Sequence, residues 1–178
     1  NLIILLLYLT LGYTQVSLTI DTNVNLTAGT LDIYMTNTAG CSYCDENTLV
    51  NITQALCETA EGASWVFDSN MDDIACVNGA YFNGEVAGWS FQLFGATIDG
   101  VSGGSAEDNG GFLISVQAEN YNPETDTQLP NILAFSLTGA TISPGEGVLL
   151  SVSFSDFEGE SICFGEDTGS AGANAISN

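Results

Sequence analysis

From Val16 onward, apolar and polar residues alternate with a period of two in short segments separated by turn residues. Val16-Ser17-Leu18-Thr19-Ile20 is the first such segment and Leu31-Asp32-Ile33-Tyr34-Met35 the second. In 86–94, Trp89, Phe91 and Leu93 share one face, with Ser90 and Gln92 opposite. Phe112, Ile114 and Val116 alternate with Leu113, Ser115 and Gln117, and Leu133, Phe135 and Leu137 share one face of 132–137. Val148, Leu150, Val152 and Phe154 alternate with Ser151 and Ser153 in the cleanest segment of the chain. Successive side chains of a strand point to opposite faces, so this period predicts strands with one face in a core. Gly103-Gly104, Asn109-Gly110-Gly111 and Ser143-Pro144-Gly145 supply turns. The whole pattern predicts an all-β sandwich.

The alternation is interrupted by 39–83, and four of the five Cys, at Cys41, Cys44, Cys57 and Cys76, fall there. Leu49, Ile52, Leu56 and Cys57 follow helical spacing, with Asn51 and Gln54 as a capping-box-like start, so a short helix is expected. Cys41-Ser42-Tyr43-Cys44 has the spacing of a zinc knuckle, but Cys57 and Cys76 do not repeat it. Clustered Cys in an exported chain pair as disulfides, and three pairings of the four are open. Cys163, in the apolar run Ser161-Ile162-Cys163-Phe164, reads as a buried free thiol that packs as a small hydrophobe.

Charge narrows the function. None of the 178 residues is Lys, Arg or His, while 22 are Asp or Glu, for a formal charge of −22. No side chain can neutralise these carboxylates from within, so water, sodium, calcium or a basic partner must. Nucleic-acid binding needs Lys or Arg to displace counterions from phosphates, and anionic membrane surfaces need them too; both classes are excluded. A Ser–His or Cys–His pair, a Lys Schiff base, an Arg phosphate clamp and a His-ligated metal are impossible, and no enzyme is expected. A 45% hydrophobic content sets the chain apart from disordered acidic tails, and its length suits one domain.

Residues 1–15 stand apart. The apolar run from Leu2 to Leu11 is shorter than the roughly 20 residues a spanning helix needs, and it fits the hydrophobic core of a secretory signal peptide. The following Gly12-Tyr13-Thr14-Gln15 resembles bacterial signal-peptide ends, although a basic start is missing. A signal peptide followed by export is expected, with a buried first strand or a hydrophobic stalk as the alternative.

Asp68-Ser69-Asn70-Met71-Asp72-Asp73 offers oxygen ligands at the first, third and fifth loop positions, namely Asp68, Asn70 and Asp72. That spacing suits Ca2+, though Asp73 stands where such loops turn on Gly, and Gly79 where they carry Glu. The alternative is a solvated acidic turn before Cys76. Trp65, in the inserted segment, and Tyr121, in the polar stretch Glu119-Asn120-Tyr121-Asn122-Pro123, are the candidate exposed aromatics for stacking on sugar rings. Trp89 shares its face with Phe91 and Leu93 and belongs to the core. Asn25-Leu26-Thr27 and Asn51-Ile52-Thr53 match the glycosylation acceptor pattern, which acts only in a eukaryotic host.

Two resemblances add to this reading. Gln54-Ala55-Leu56-Cys57-Glu58, with Gly62, Trp65 and Cys76, resembles small disulfide modules of bacterial exported proteins, which implies a stapled surface elaboration. Val86-Ala87-Gly88-Trp89-Ser90-Phe91-Gln92-Leu93 and the passage from Phe135 through Gly145-Glu146-Gly147-Val148-Leu149 to Phe154 resemble bacterial cohesin-type modules, with Leu31–Asn37 as the preceding strand. The similarity covers residues 16–37 and 83–164. It implies a nine-stranded jelly-roll sandwich, fold-related to carbohydrate-binding modules, in scaffolds or surface adhesins. The insertion departs from scaffold members and sets dockerin binding aside. The last residues, 174–178, leave little room for a final strand.

The expectation is therefore an all-β, cohesin-like sandwich over 16–178, interrupted at 39–83 by a disulfide-stapled insertion with a short helix. The expected function is a non-catalytic module, secreted or at the cell surface, for adhesion or assembly with a protein or glycan. A carbohydrate-binding module of a larger secreted hydrolase, or a self-assembling filament subunit, is the alternative.

Overall fold

The computed structural model describes residues 15–22, 24–46, 52–122, 127–157, 161–165 and 175–177, with the backbone alone at 118–122, 127–130, 175 and 177. The signal-peptide reading of 1–15, apart from Gln15, lies outside these residues, as do Leu49 and Asn51 of the expected helix. In chain order the elements begin with β1 (Val16–Ile20), β2 (Thr30–Asn37), β3 (Gly40–Cys44), α1 (Gln54–Cys57), β4 (Trp65–Asp68) and β5 (Ala80–Phe82). Then come β6 (Gly88–Phe94), β7 (Thr97–Ser102), α2 (Gly104–Asp108), β8 (Phe112–Asn122) and β9 (Thr127–Ser136). The last are β10 (Gly145–Ser155), β11 (Cys163–Phe164) and β12 (Ala175–Ser177).

All strand pairs are antiparallel and build three sheets. The first has the order β1-β2-β10-β7; the second has the order β8-β9-β6, with the far edge of β6 shared by β11 and β12. The third and smallest, β4-β3-β5, lies wholly in the inserted segment. The fold is all-β, as the alternation predicts, and the chain passes repeatedly between the two larger sheets.

One apolar core lies between those sheets. The first contributes Leu31, Ile33 and Met35 from β2, Leu150, Val152 and Phe154 from β10, and Ile98 from β7. The second contributes Trp89, Phe91 and Leu93, with Ile132 and Ala134 beside them in register. Removing each large side chain of this set from water contributes about 1.5–3 kcal/mol. Trp89 is 2% exposed and its ring lies 5.1 Å from that of Phe112. Its indole Nε1 has no hydrogen-bond partner among the described residues, so packing alone holds it there.

Several local expectations are corrected. In 132–137 it is Ile132 and Ala134 that face the core, while Leu133, Phe135 and Leu137 turn outward. Both faces of that strand are apolar, so alternation cannot choose between them. β10 carries a bulge between Val148 and Leu150, which lets Leu149 and Leu150 both bury. α1 begins at Gln54 with Thr53 as its N-cap, not Asn51, because the Thr53 hydroxyl accepts from the Leu56 amide at 3.4 Å. α2, which period-two patterning does not predict, packs on β10 and buries Ala106. Despite the scant room at the end of the chain, Ala175–Ser177 pairs with β6.

The insertion is rooted at one polar residue of the core row. Asn37 follows Leu31, Ile33 and Met35 on the inward face of β2 and is 3% exposed. Its Nδ2 donates to the carbonyls of Gly84, of Ile142 at 3.3 Å and of Ser143 at 3.0 Å. Asn37 thus ties the point where the inserted segment leaves the sandwich to the point where it returns. Gly84 has φ +88 and lies against Pro144, so a side chain at this position would be strained and would clash.

Candidate functional site

The inserted sheet holds most of the residues singled out from sequence. Cys41 and Cys44 are three apart on β3, so their side chains leave opposite faces. Cys41 bridges Cys76 and Cys44 bridges Cys57, which resolves the three open pairings. Cys44 lies opposite Trp65 in register, so the Trp65 ring sits on the face from which the bridge to α1 departs. Trp65 is half-buried there. Phe67, opposite Ser42 on that same face, lays its ring over Gly40, where a Cβ would collide with it.

Asp68 closes β4, and Asn70 and Asp72 follow it in the turn. One Asp68 carboxylate oxygen accepts from the Asn70 amide at 2.8 Å and from Asn70 Nδ2 at 3.0 Å. Asp72 accepts from the Ala75 amide at 2.8 Å, and its carbonyl accepts from the Cys76 amide at 3.0 Å. These bonds organise the approach to the Cys41–Cys76 bridge, which is the structural work of Asx turns. Among the described residues, no three Cys, Asp or Glu side chains converge as a metal cage.

Tyr121 is in the last part of β8, its backbone in register with Gln128, and not in a loop. Its side chain lies outside the described residues. Cys163 is the free cysteine, half-buried in β11 where full burial was expected, with the Ser161 hydroxyl 3.3 Å from its sulfur. Asn25 is exposed at the turn between β1 and β2, where its side-chain oxygen accepts from the Ala28 amide at 3.0 Å.

A surface that sequence reasoning missed lies on the outer side of the second sheet. Leu113 on β8 and Phe135 on β9 are direct cross-strand neighbours, 51% and 40% exposed. Leu133 is half-buried on the same face, and Leu137, just past β9, is 75% exposed. Towards β6 the face becomes polar: the Ser90 hydroxyl donates to Asn131 Oδ1 at 3.0 Å, and Gln92 is covered where Gly165 crosses it. None of the described side chains on this face (Ser90, Gln92, Phe94, Leu113, Ser115, Gln117, Asn131, Leu133, Phe135) is a carboxylate. The available signal was a strand apolar on both faces, Ile132 and Ala134 against Leu133 and Phe135. Such a strand is buried on both sides or leaves apolar surface uncovered.

Comparison with known protein families, with curated proteins and with solved structures found no match. Among the described residues, no helix is long and apolar enough to cross a membrane. The two disulfides are compatible with an extracellular protein.

Proposed function

We propose that this chain is a non-catalytic, cohesin-like module, secreted or displayed at the cell surface, that works in adhesion or assembly by binding a protein or glycan. The observation that carries the reading is the outer face of the second sheet, where Leu113, Phe135 and Leu137 are exposed together. Contiguous exposed apolar side chains on a soluble fold mark interaction surfaces, whereas single ones are ordinary. The cohesin-like, jelly-roll reading draws support from the strand inventory. Nine strands remain among the described residues once those of the inserted sheet are set aside. The insertion adds a stapled elaboration whose root at Asn37 and Gly84 does not interrupt either larger sheet.

Binding of the full chain to a glycan array and to protein-coated surfaces tests the proposal. A Leu113→Thr, Phe135→Thr double variant is expected to lose the binding while keeping its fold, since Thr suits an exposed strand position. Binding that survives this change and disappears with Trp65→Ala would move the site to the insertion and sink the reading of the sheet face.

A further inference from the structure

We propose that the outer face of the second sheet is self-complementary and receives a second copy of this chain, an inference that rests on the assembly reading above and names its partner. Leu113 and Phe135 face each other across β8 and β9, with Leu137 beyond them. The surrounding side chains that are described are neutral, Ser115 and Gln117 on β8 and Ser90 and Asn131 towards β6. The outer face of the first sheet, by contrast, carries Asp32, Asp99 and Glu146.

Charge decides the occupant. With 22 carboxylates and no Lys, Arg or His in the chain, two copies repel wherever acidic surfaces meet, and no side chain of one copy can form an ion pair with a carboxylate of the other. The described part of the second sheet's outer face lets two copies touch there without apposing like charges. A basic partner would find no carboxylate among these described side chains to pair with. A second copy brings the same apolar pair in the same neutral frame, and a two-fold axis sets each face against its own image. Burial of Leu113, Phe135 and Leu137 drives the contact, and the long-range repulsion of the two acidic molecules opposes it. Salt removes that opposition, because the Debye length falls from about 10 Å at 0.1 M to about 3 Å at 1 M. Association that strengthens with salt is the signature; docking of a basic partner weakens with salt.

Sedimentation velocity of the full chain, at about 0.1 M and about 1 M sodium chloride, tests this. The expected result is a shift from monomer towards dimer as salt rises. Ser115→Glu, which places a carboxylate in the neutral face, is expected to hold the chain monomeric, as is Leu113→Thr with Phe135→Thr. Thr19→Glu adds the same charge to the first sheet's outer face and is expected to leave the dimer intact. Circular dichroism shows which variants are folded, and the single exposed change at Ser115 keeps the test usable if the double variant fails. A chain that stays monomeric at both salt concentrations overturns the proposal, as does a dimer indifferent to Ser115→Glu or one that dissociates as salt rises. Surface or glycan binding is read separately: a monomer that loses such binding in the double variant sinks the second-copy occupant and leaves the binding face standing.

Discussion

The two larger sheets expose outer faces of opposite character. On the first, hydroxyls surround carboxylates: Ser151 Oγ donates to Asp32, and Ser155 Oγ donates to Asp99 at 2.9 Å. Ser17 lies opposite Thr36 and Thr30 opposite Ser153 on that face, which is built for water. On the second, Leu113 pairs with Phe135 and the described side chains carry no charge. Both faces belong to strands that bury their other side in the same core, so the difference is not imposed by folding. In a chain without cations, hydroxyl donors take over part of the role that Lys and Arg play elsewhere in solvating carboxylates. The described side chains of the second sheet's outer face include no carboxylate that would need such donors.

The sharpest way to break this contrast is to compare the inner and outer sides of the second sheet. Trp89→Ala is expected to cost about 3–5 kcal/mol by denaturant unfolding, through a cavity beside Phe112. Phe135→Thr, on the outer side of the neighbouring strand, should change stability by no more than about 0.5 kcal/mol. Equal costs for the two would mean that the faces are assigned the wrong way round.

A smaller effect separates the insertion from both sheets. Replacing Cys44 and Cys57 together by Ser is expected to cost about 2–4 kcal/mol, mainly by freeing the unfolded chain. The far-ultraviolet circular dichroism of the two larger sheets should persist below the melting point. Denatured, non-reduced wild-type protein should titrate with one thiol, that of Cys163; five thiols would remove both bridges. At the root, Asn37→Ala leaves the carbonyls of Gly84, Ile142 and Ser143 without this donor and should cost about 1–3 kcal/mol in thermal unfolding. A cost near zero would show that the insertion is held by its disulfides and strand pairing alone.

The smallest expected effect concerns the acidic face. Added sodium chloride should raise the melting temperature, since screening relieves repulsion among 22 carboxylates. Asp99→Asn should do so slightly, by less than about 0.5 kcal/mol, because this carboxylate is exposed. A melting temperature unmoved by salt would mean that the carboxylates are too dispersed to oppose folding, and the role given to hydroxyl solvation on the first sheet would fall with it.

Much of this could be read along the chain. Period-two alternation located β1, β2, β6, β8 and β10, and the large apolar row of Trp89, Phe91 and Leu93 was enough to orient β6, because its opposite row, Ser90 and Gln92, is polar. The absence of Lys, Arg and His excluded whole chemistries before any coordinate was known. The strand inferences succeed because strand period is a property of residues in order. Three others depend on what the chain brings together from a distance. The Cys pairing depends on Cys41 and Cys44 leaving opposite faces of β3, with Cys76 and Cys57 delivered to each side. Asn37 finds its acceptors 47 to 106 residues away. On β9, where Ile132 and Ala134 compete with Leu133 and Phe135, the choice of inward face belongs to the opposing sheet. Alternation makes two apolar rows equivalent, and only packing against Leu31, Ile33, Leu150 and Val152 breaks the tie and leaves Phe135 in water.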